Sequence, residues 1–349
     1  AWRAFAAWSK EDEEPAAAAE LARELTRSRP GDARAWKALE SVLGDDALDE
    51  RLEALDRAAA IAPRDLEVHD RKAEVLAGAG RFDEALAACA PPAFGDRAPA
   101  VLRGRAAWVA HARGDREDAR EQMRGLVAED PDYAWAWRRL DEWAAGDDDP
   151  TERLEAANHC VRLYGEEPAS LVELGEARNA ARDPVGAREA FARAVAAAPG
   201  YDYARIELFD LELAAGDLVA AARTLEPLRR PDFSAPAFIF AREVQLAAAR
   251  RDKAVALDAL RRLCAAPEEK SNWPWTAADA AMASAKWTKA ADRIYEEALA
   301  RPEPPPAVGE VWAGRAGTFA AMRVSRKLRR LIAAGGEPAL RALRRHFAH

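Results

Sequence analysis

The sequence predicts an all-α chain: an α-solenoid of about nine to ten stacked helix-turn-helix repeats. Three observations predict it. Prolines recur about every 34 residues, at Pro30, Pro63, Pro99, Pro131, Pro168, Pro199, Pro231, Pro267, Pro302 and Pro338. Each proline closes two runs whose apolar residues stand three and four apart, the spacing of one helical face. Between the two runs lies a turn, often Gly-Asp or Gly-Arg. Proline ends the second run because it has no N–H and disfavours helix in the residue before it.

The first repeat carries Trp2, Phe5 and Ala6, then Ala18, Ala22 and Leu25 before Pro30. The second opens with Trp36 and Leu39 and closes with Ala58 and Pro63. The third holds Gly80, Phe82, Ala85 and Cys89; the fourth holds Gly114, Ala119, Met123 and Leu126. The fifth has Trp137 and Leu140, then Ala156, Cys160 and Leu163. The sixth is the most regular, with Leu171, Leu174 and Gly175, then Ala187, Phe191, Ala194 and Pro199. Later repeats drift. The seventh keeps Leu208, Gly216, Ala221 and Leu225, and the eighth keeps Phe240, Ala241, Leu260 and Leu263 around a turn without glycine. The ninth keeps Trp287, Ala290 and Ile294, with Pro274 interrupting its opening helix. Small residues belong where two helices approach closely, and large ones fill what remains.

These residues resemble the tetratricopeptide repeat, whose pattern is W-x2-L-G-x2-Y, then A-x3-F, then P. The resemblance spans residues 1–303 and implies a right-handed superhelix whose first helices line a concave wall. Residues 304–349 form a second segment: a proline-rich break, RPEPPPAVGE at 301–310, expected to be extended, and then basic helices that cap the array or begin something further.

Composition narrows the function. Half of the residues are apolar and 32% are charged, which opposes both disorder and a membrane-embedded chain. No apolar run reaches about 18 residues, so no membrane span is expected. Three cysteines in 349 residues make no disulfide framework, and a reducing, cytoplasmic compartment fits. The excess of arginine over lysine matches a high-GC bacterial genome. The chain opens without methionine, compatible with a start inside a longer protein, and oligomeric state is left open. Net charge is -8, yet residues 301–349 hold 10 basic and 3 acidic side chains.

Little in the array suggests catalysis. Cys89, Cys160 and Cys264 fall on second helices, where a free thiol behaves as a small buried hydrophobe. The five histidines show none of the zinc-binding spacings, and no glycine-rich phosphate loop occurs. No catalytic residue, metal or cofactor is expected. Asp147, Asp148 and Asp149 lie in a turn, residues 144–153, that reads as about three residues longer than its neighbours; they suit a helix N-terminus better than calcium. Paired carboxylates on solvated helices are expected to be mostly surface charges.

The eleven tryptophans are the better clue. Trp2, Trp36 and Trp137 take the repeat's large-apolar slot, whereas Trp108, Trp135 and Trp275 fall elsewhere on first helices. The resemblance places these three on the concave wall, joined by Arg138, Glu142, Glu176, Asn179, Tyr203, Asp210, Phe238, Arg242 and Gln245. Aromatics mixed with arginine and carboxylates are the usual make-up of binding hot spots. The expected function is a non-catalytic scaffold that holds a peptide or protein partner in that groove. Two alternatives remain: a regulatory or recruiting part of a larger enzyme, and binding of nucleic acid through the basic tail. For the last, Arg323, Arg326, Lys327, Arg329, Arg330, Arg341, Arg344 and Arg345 would each meet a phosphate. The acidic remainder of the chain opposes nucleic acid elsewhere. A clamp for a chaperone's terminal carboxylate is disfavoured, because Glu67, Asp70 and Glu74 stand where it needs cations.

Overall fold

The computed structural model describes residues 15–230, 232–267, 271–301 and 306–314, which form eighteen α-helices, with no strand among them. Two compact units divide between Gly165 and Glu166. The N-terminal unit contains α1 (Pro15–Ser28), α2 (Ala33–Val42), α3 (Leu48–Ile61), α4 (Leu66–Gly78) and α5 (Phe82–Ala88). It continues with α6 (Ala100–Arg113), α7 (Arg116–Glu129), α8 (Ala134–Gly146) and α9 (Pro150–Tyr164). The C-terminal unit contains α10 (Pro168–Ala180), α11 (Pro184–Ala197), α12 (Asp202–Ala214), α13 (Leu218–Leu225) and α14 (Pro236–Ala249). It ends with α15 (Lys253–Leu263), α16 (Trp273–Ser284), α17 (Thr288–Leu299) and α18 (Pro306–Gly314). Within each unit, consecutive helices pack as tandem hairpins, as the repeat pattern predicts. None of the described helices is long and apolar enough to cross a membrane.

From α4 onward, one three-residue turn joins the two helices of each hairpin. Its middle residue is left-handed at Gly80, Gly114, Asp148, Arg182, Gly216, Arg251 and Lys286, a series that keeps the repeat period. The next backbone N–H reaches back five residues, as in Asp115 to Ala110, Asp183 to Arg178 and Asp252 to Ala247. That is the closure of a Schellman motif, which satisfies carbonyls left over at the helix end. The same aspartate then caps the following helix: Asp183 accepts from Gly186 N, Asp217 from Ala220 N and Asp252 from Val255 N.

Expectations for the acidic turn, for Pro274 and for the proline-rich break are corrected by the structure. The acidic turn is not extended: Asp148 holds the left-handed position, Asp149 caps α9 through Thr151 N and Glu152 N, and Gly146 is the last residue of α8. The eighth turn needs no glycine because Arg251 adopts the conformation itself. Pro274 does not interrupt α16 but sits in its first turn, where proline costs no hydrogen bond. Likewise residues 306–310 are helical rather than extended, with Pro306 at the start of α18. L-residues other than glycine are strained in this region by about 1–2 kcal/mol. Gly216→Ala is therefore expected to lower stability by about 1 kcal/mol, while Arg182→Gly holds or raises it. Urea denaturation followed by circular dichroism checks both, and a stabilised Gly216→Ala would refute the assignment.

At the other junction, the proline carbonyl accepts a hydrogen bond from a side chain six residues on. Trp36 Nε1 donates to Pro30 O and Trp137 Nε1 to Pro131 O, each at 2.9 Å. His69 Nε2 contacts Pro63 O at 2.9 Å, and Arg205 donates to Pro199 O at 2.7 Å. The repeat's large slot thus carries a polar edge as well as apolar bulk.

The seams between helices hold the predicted core. In the N-terminal unit Leu55, Val68, Leu76 and Cys89 form one cluster, and Met123, Leu126, Trp137, Leu140 and Cys160 another. In the C-terminal unit Phe209, Leu225, Leu228 and Ile239 cluster, as do Leu260, Cys264, Trp275, Met282, Ile294 and Tyr295. Alanines such as Ala58, Ala107, Ala187 and Ala194 are fully enclosed at close approaches. Burial pushes the thiols of Cys89 and Cys264 up to about 12, which leaves them protonated packing groups.

Two imidazoles lie flat on two of the three tryptophans of α8. His111 stacks on Trp143 at 4.2 Å and His159 on Trp137 at 3.9 Å. Burial, and then the positive charge of Arg116, lowers the pKa of His111. The unfolded chain therefore takes up this proton first as pH falls. Its stability contribution is intact above the unfolded value of about 6.5 and is lost progressively below it. A His111→Gln variant should show a shallower loss of stability than the wild type between about pH 7 and 5. Equal slopes in paired urea titrations would discard this role.

Candidate protein-binding faces

Each unit presents a face built from its first helices. In the N-terminal unit these are α4, α6 and α8. Asp70 on α4 accepts two hydrogen bonds from Arg105 on α6, from Nε at 2.7 Å and Nη2 at 2.9 Å. That pair fixes the Arg105 guanidinium between two indoles, 5.0 Å from the Trp108 ring and 5.5 Å from the Trp135 ring. Arg139 lies 5.6 Å from the same Trp135 ring and pairs with Glu142. Tyr133 stacks beside Trp135 at 6.0 Å. This layer lies on Gly104: a Cβ there would stand 3.0 Å from Tyr133 Oη and 3.1 Å from the Trp135 ring. Burial raises the Tyr133 hydroxyl to about 12, so it stays a neutral donor. Arg138 lies 4.6 Å from the Tyr164 ring, one helix further along. Trp108, Trp135, Arg138 and Arg139 are all half-buried, with part of each surface open to solvent.

In the C-terminal unit the face comes from α10, α12, α14 and α16. Tyr203 Oη donates to Glu176 Oε1 at 2.6 Å. Asp210 accepts from Arg242 Nε at 3.0 Å and Nη2 at 2.5 Å. Arg242 also lies 4.6 Å from the Trp273 ring, which stacks with Phe238 at 5.6 Å. Burial raises the pKa of both Asp210 and Glu207; for Glu207 the charge of Asp210 adds to it, while Arg242 opposes it for both. Burial also raises Tyr203, helped by its bond to Glu176. The carbonyl oxygen of Gln245 is enclosed and has no donor among the described residues. Asn179 is exposed at the end of α10.

Two of the expected face residues need correction. Trp275 is only 1% exposed and belongs to the core between α14, α16 and α17. It stands 11 residues before its left-handed turn residue Lys286, as Trp137 stands before Asp148, so it fills the large slot. Trp273 takes the place expected for it, equivalent to Trp135. Counting back from the turn, rather than forward from the proline, would have shown this. Arg242 reaches the face but is itself buried, holding Asp210 rather than projecting outward. Conversely, Asp70, Arg105, Arg139, Glu207 and Trp273 were not among the expected residues. Their signal was available for the arginines: Arg71, Arg105 and Arg139 recur at the repeat period. The basic tail, Arg323 to Arg345, lies outside the described residues.

Buried carboxylates also occupy the repeat's small-residue slot. Glu40 accepts from Arg51 and Arg71, Asp141 pairs with Arg153, and Asp279 accepts from Tyr295 Oη at 3.2 Å. One residue before that slot on α14, the buried Glu243 lies between Arg229 and Arg262. They are exceptions to the expectation that the helical carboxylates are mostly surface charges. No group of three or more His, Cys, Asp or Glu side chains among the described residues is placed to hold a metal ion.

Residues 179–239, from the end of α10 into α14, match the tetratricopeptide repeat family. The C-terminal part of a tetratricopeptide repeat-containing protein from Cytophaga hutchinsonii superposes with a TM-score of 0.53. Identity is 14% over 68% of this chain and 97% of that one. The chain is a tetratricopeptide-like helical repeat protein. The repeat protein also resembles Pseudomonas aeruginosa PilF, at a TM-score of 0.45 and 16% identity over 56% of this chain and 89% of that one. A third likeness is to the Cut9–Hcn1 structure of the APC/C, at 0.42 and 15%, covering 84% and 57%. No curated protein matches its sequence. Repeat proteins of this kind present extended surfaces to protein partners.

Proposed function

We propose that the repeat protein is a non-catalytic scaffold that holds a peptide or protein segment against its first-helix faces. The observation that carries this reading is the half-open lattice of Trp108, Arg105, Trp135 and Arg139. Indole rings held by guanidinium groups are already ordered, so a partner would lose little further side-chain entropy on docking there. Pairs such as Arg105–Asp70 and Arg139–Glu142 keep the arginines in register with the rings.

The test starts from the partner captured by the full chain from its native host. Trp135→Ala or Arg138→Ala should weaken that binding by about 2 kcal/mol while melting temperature changes little. Binding and thermal stability falling together would instead assign both residues to packing. The proposal also predicts that Val185→Ser, an exposed change on α11, leaves binding untouched.

A further inference from the structure

We infer that the C-terminal unit's face selects a basic partner, an extended segment whose lysine or arginine docks on Glu207 beside Tyr203. This deepens the scaffold reading and rests on it. The two faces differ in how their charges are settled. On the N-terminal face Arg105 is matched by Asp70 and Arg139 by Glu142. On the C-terminal face Arg242 gives its Nε and Nη2 to Asp210 and its Nη1 to the Phe238 carbonyl. Glu207, one turn before Asp210 on α12, has no ion pair among the described residues. It is half-buried, so its charge is poorly hydrated yet open on one side.

What surrounds Glu207 suits a cation. Tyr203 stands one turn before it on the same face, 43% exposed, with its hydroxyl tied to Glu176. Its ring is therefore held in place as an electron-rich wall. The neighbouring wall, Phe238 stacked on Trp273, already binds one guanidinium, that of Arg242 at 4.6 Å. An acidic segment would place a second negative charge against Glu207 and Asp210, whose carboxyls burial already makes reluctant to ionise.

Fluorescence anisotropy with the full chain tests this, using labelled Gly-Ser peptides bearing arginine, glutamate or no charge. The arginine peptide should bind most tightly. Glu207→Gln should weaken it about tenfold, whereas Glu121→Gln, exposed on α7 of the other unit, should not. Raising salt should weaken the wild type more than Glu207→Gln. Equal weakening by both variants would reduce the effect to net charge and overturn the inference. If the neutral or acidic peptide binds best and Tyr203→Ala weakens it, the scaffold reading survives and the basic-partner inference falls. Binding of no peptide overturns the inference alone, since the captured host partner tests the scaffold separately.

Discussion

Gly175→Ala is expected to destabilise the repeat protein by about 1–3 kcal/mol, although alanine is the better helix former. The position lies mid-way along α10, where replacing glycine would ordinarily gain up to about 1 kcal/mol. Packing overrides propensity. An added Cβ would stand 2.8–2.9 Å from three atoms of the Phe191 ring. Phe191 is 1% exposed and cannot swing aside, so either the ring leaves its rotamer or α10 and α11 separate. Removing bulk from the ring should restore the fit: Gly175→Ala with Phe191→Leu should lose less than the two single losses combined. Chemical denaturation of the four proteins in the cycle decides it. A Gly175→Ala variant as stable as the wild type would show that the hairpin tolerates the extra methyl.

Glu40→Ala is expected to cost about 3 kcal/mol for a different reason. Glu40 is 5% exposed and accepts from Arg51 Nε at 3.2 Å, Arg51 Nη2 at 3.0 Å and Arg71 Nε at 3.0 Å. Arg51 is itself buried, so deleting the carboxylate leaves a desolvated guanidinium whose one remaining ion-pair partner among the described residues is the exposed Asp45. Removing one member of a buried pair is far more damaging than replacing both with apolar groups of similar size. Glu40→Leu with Arg51→Met should accordingly return to within about 1 kcal/mol of the wild type. A loss below about 1 kcal/mol for Glu40→Ala would mean that water reaches the seam and screens the charge.

These two sites mark how far the residues could be read in advance. Gly175, Ala187 and Phe191 follow the repeat consensus, and their seam was legible because it joins adjacent helices at fixed spacing. Glu40 sits in the same slot as Gly175, yet nothing nearby in the chain announces its counter-ions. Arg51 comes from the next helix and Arg71 from the one after. The candidate faces divide similarly. Trp108, Trp135, Tyr203 and Phe238 were recognisable as first-helix residues off the large slot. Asp70, Arg105, Glu207 and Trp273 gained meaning only from what lies across the neighbouring helix. Trp275 was misplaced because its repeat opens with an irregular stretch, so the proline gave the wrong phase and only the Lys286 turn gives the right one.

Period, hairpin order and, outside the irregular ninth repeat, the packing slots follow from the chain alone, because they depend on spacings of three, four and about 34 residues that any helix pair must obey. Which side chains are shut in, which charges are matched and which aromatic rings remain open was decided by tertiary structure. Those outcomes depend on atoms contributed from one repeat away. A period constrains the backbone of each repeat but leaves its neighbours' side chains free to vary.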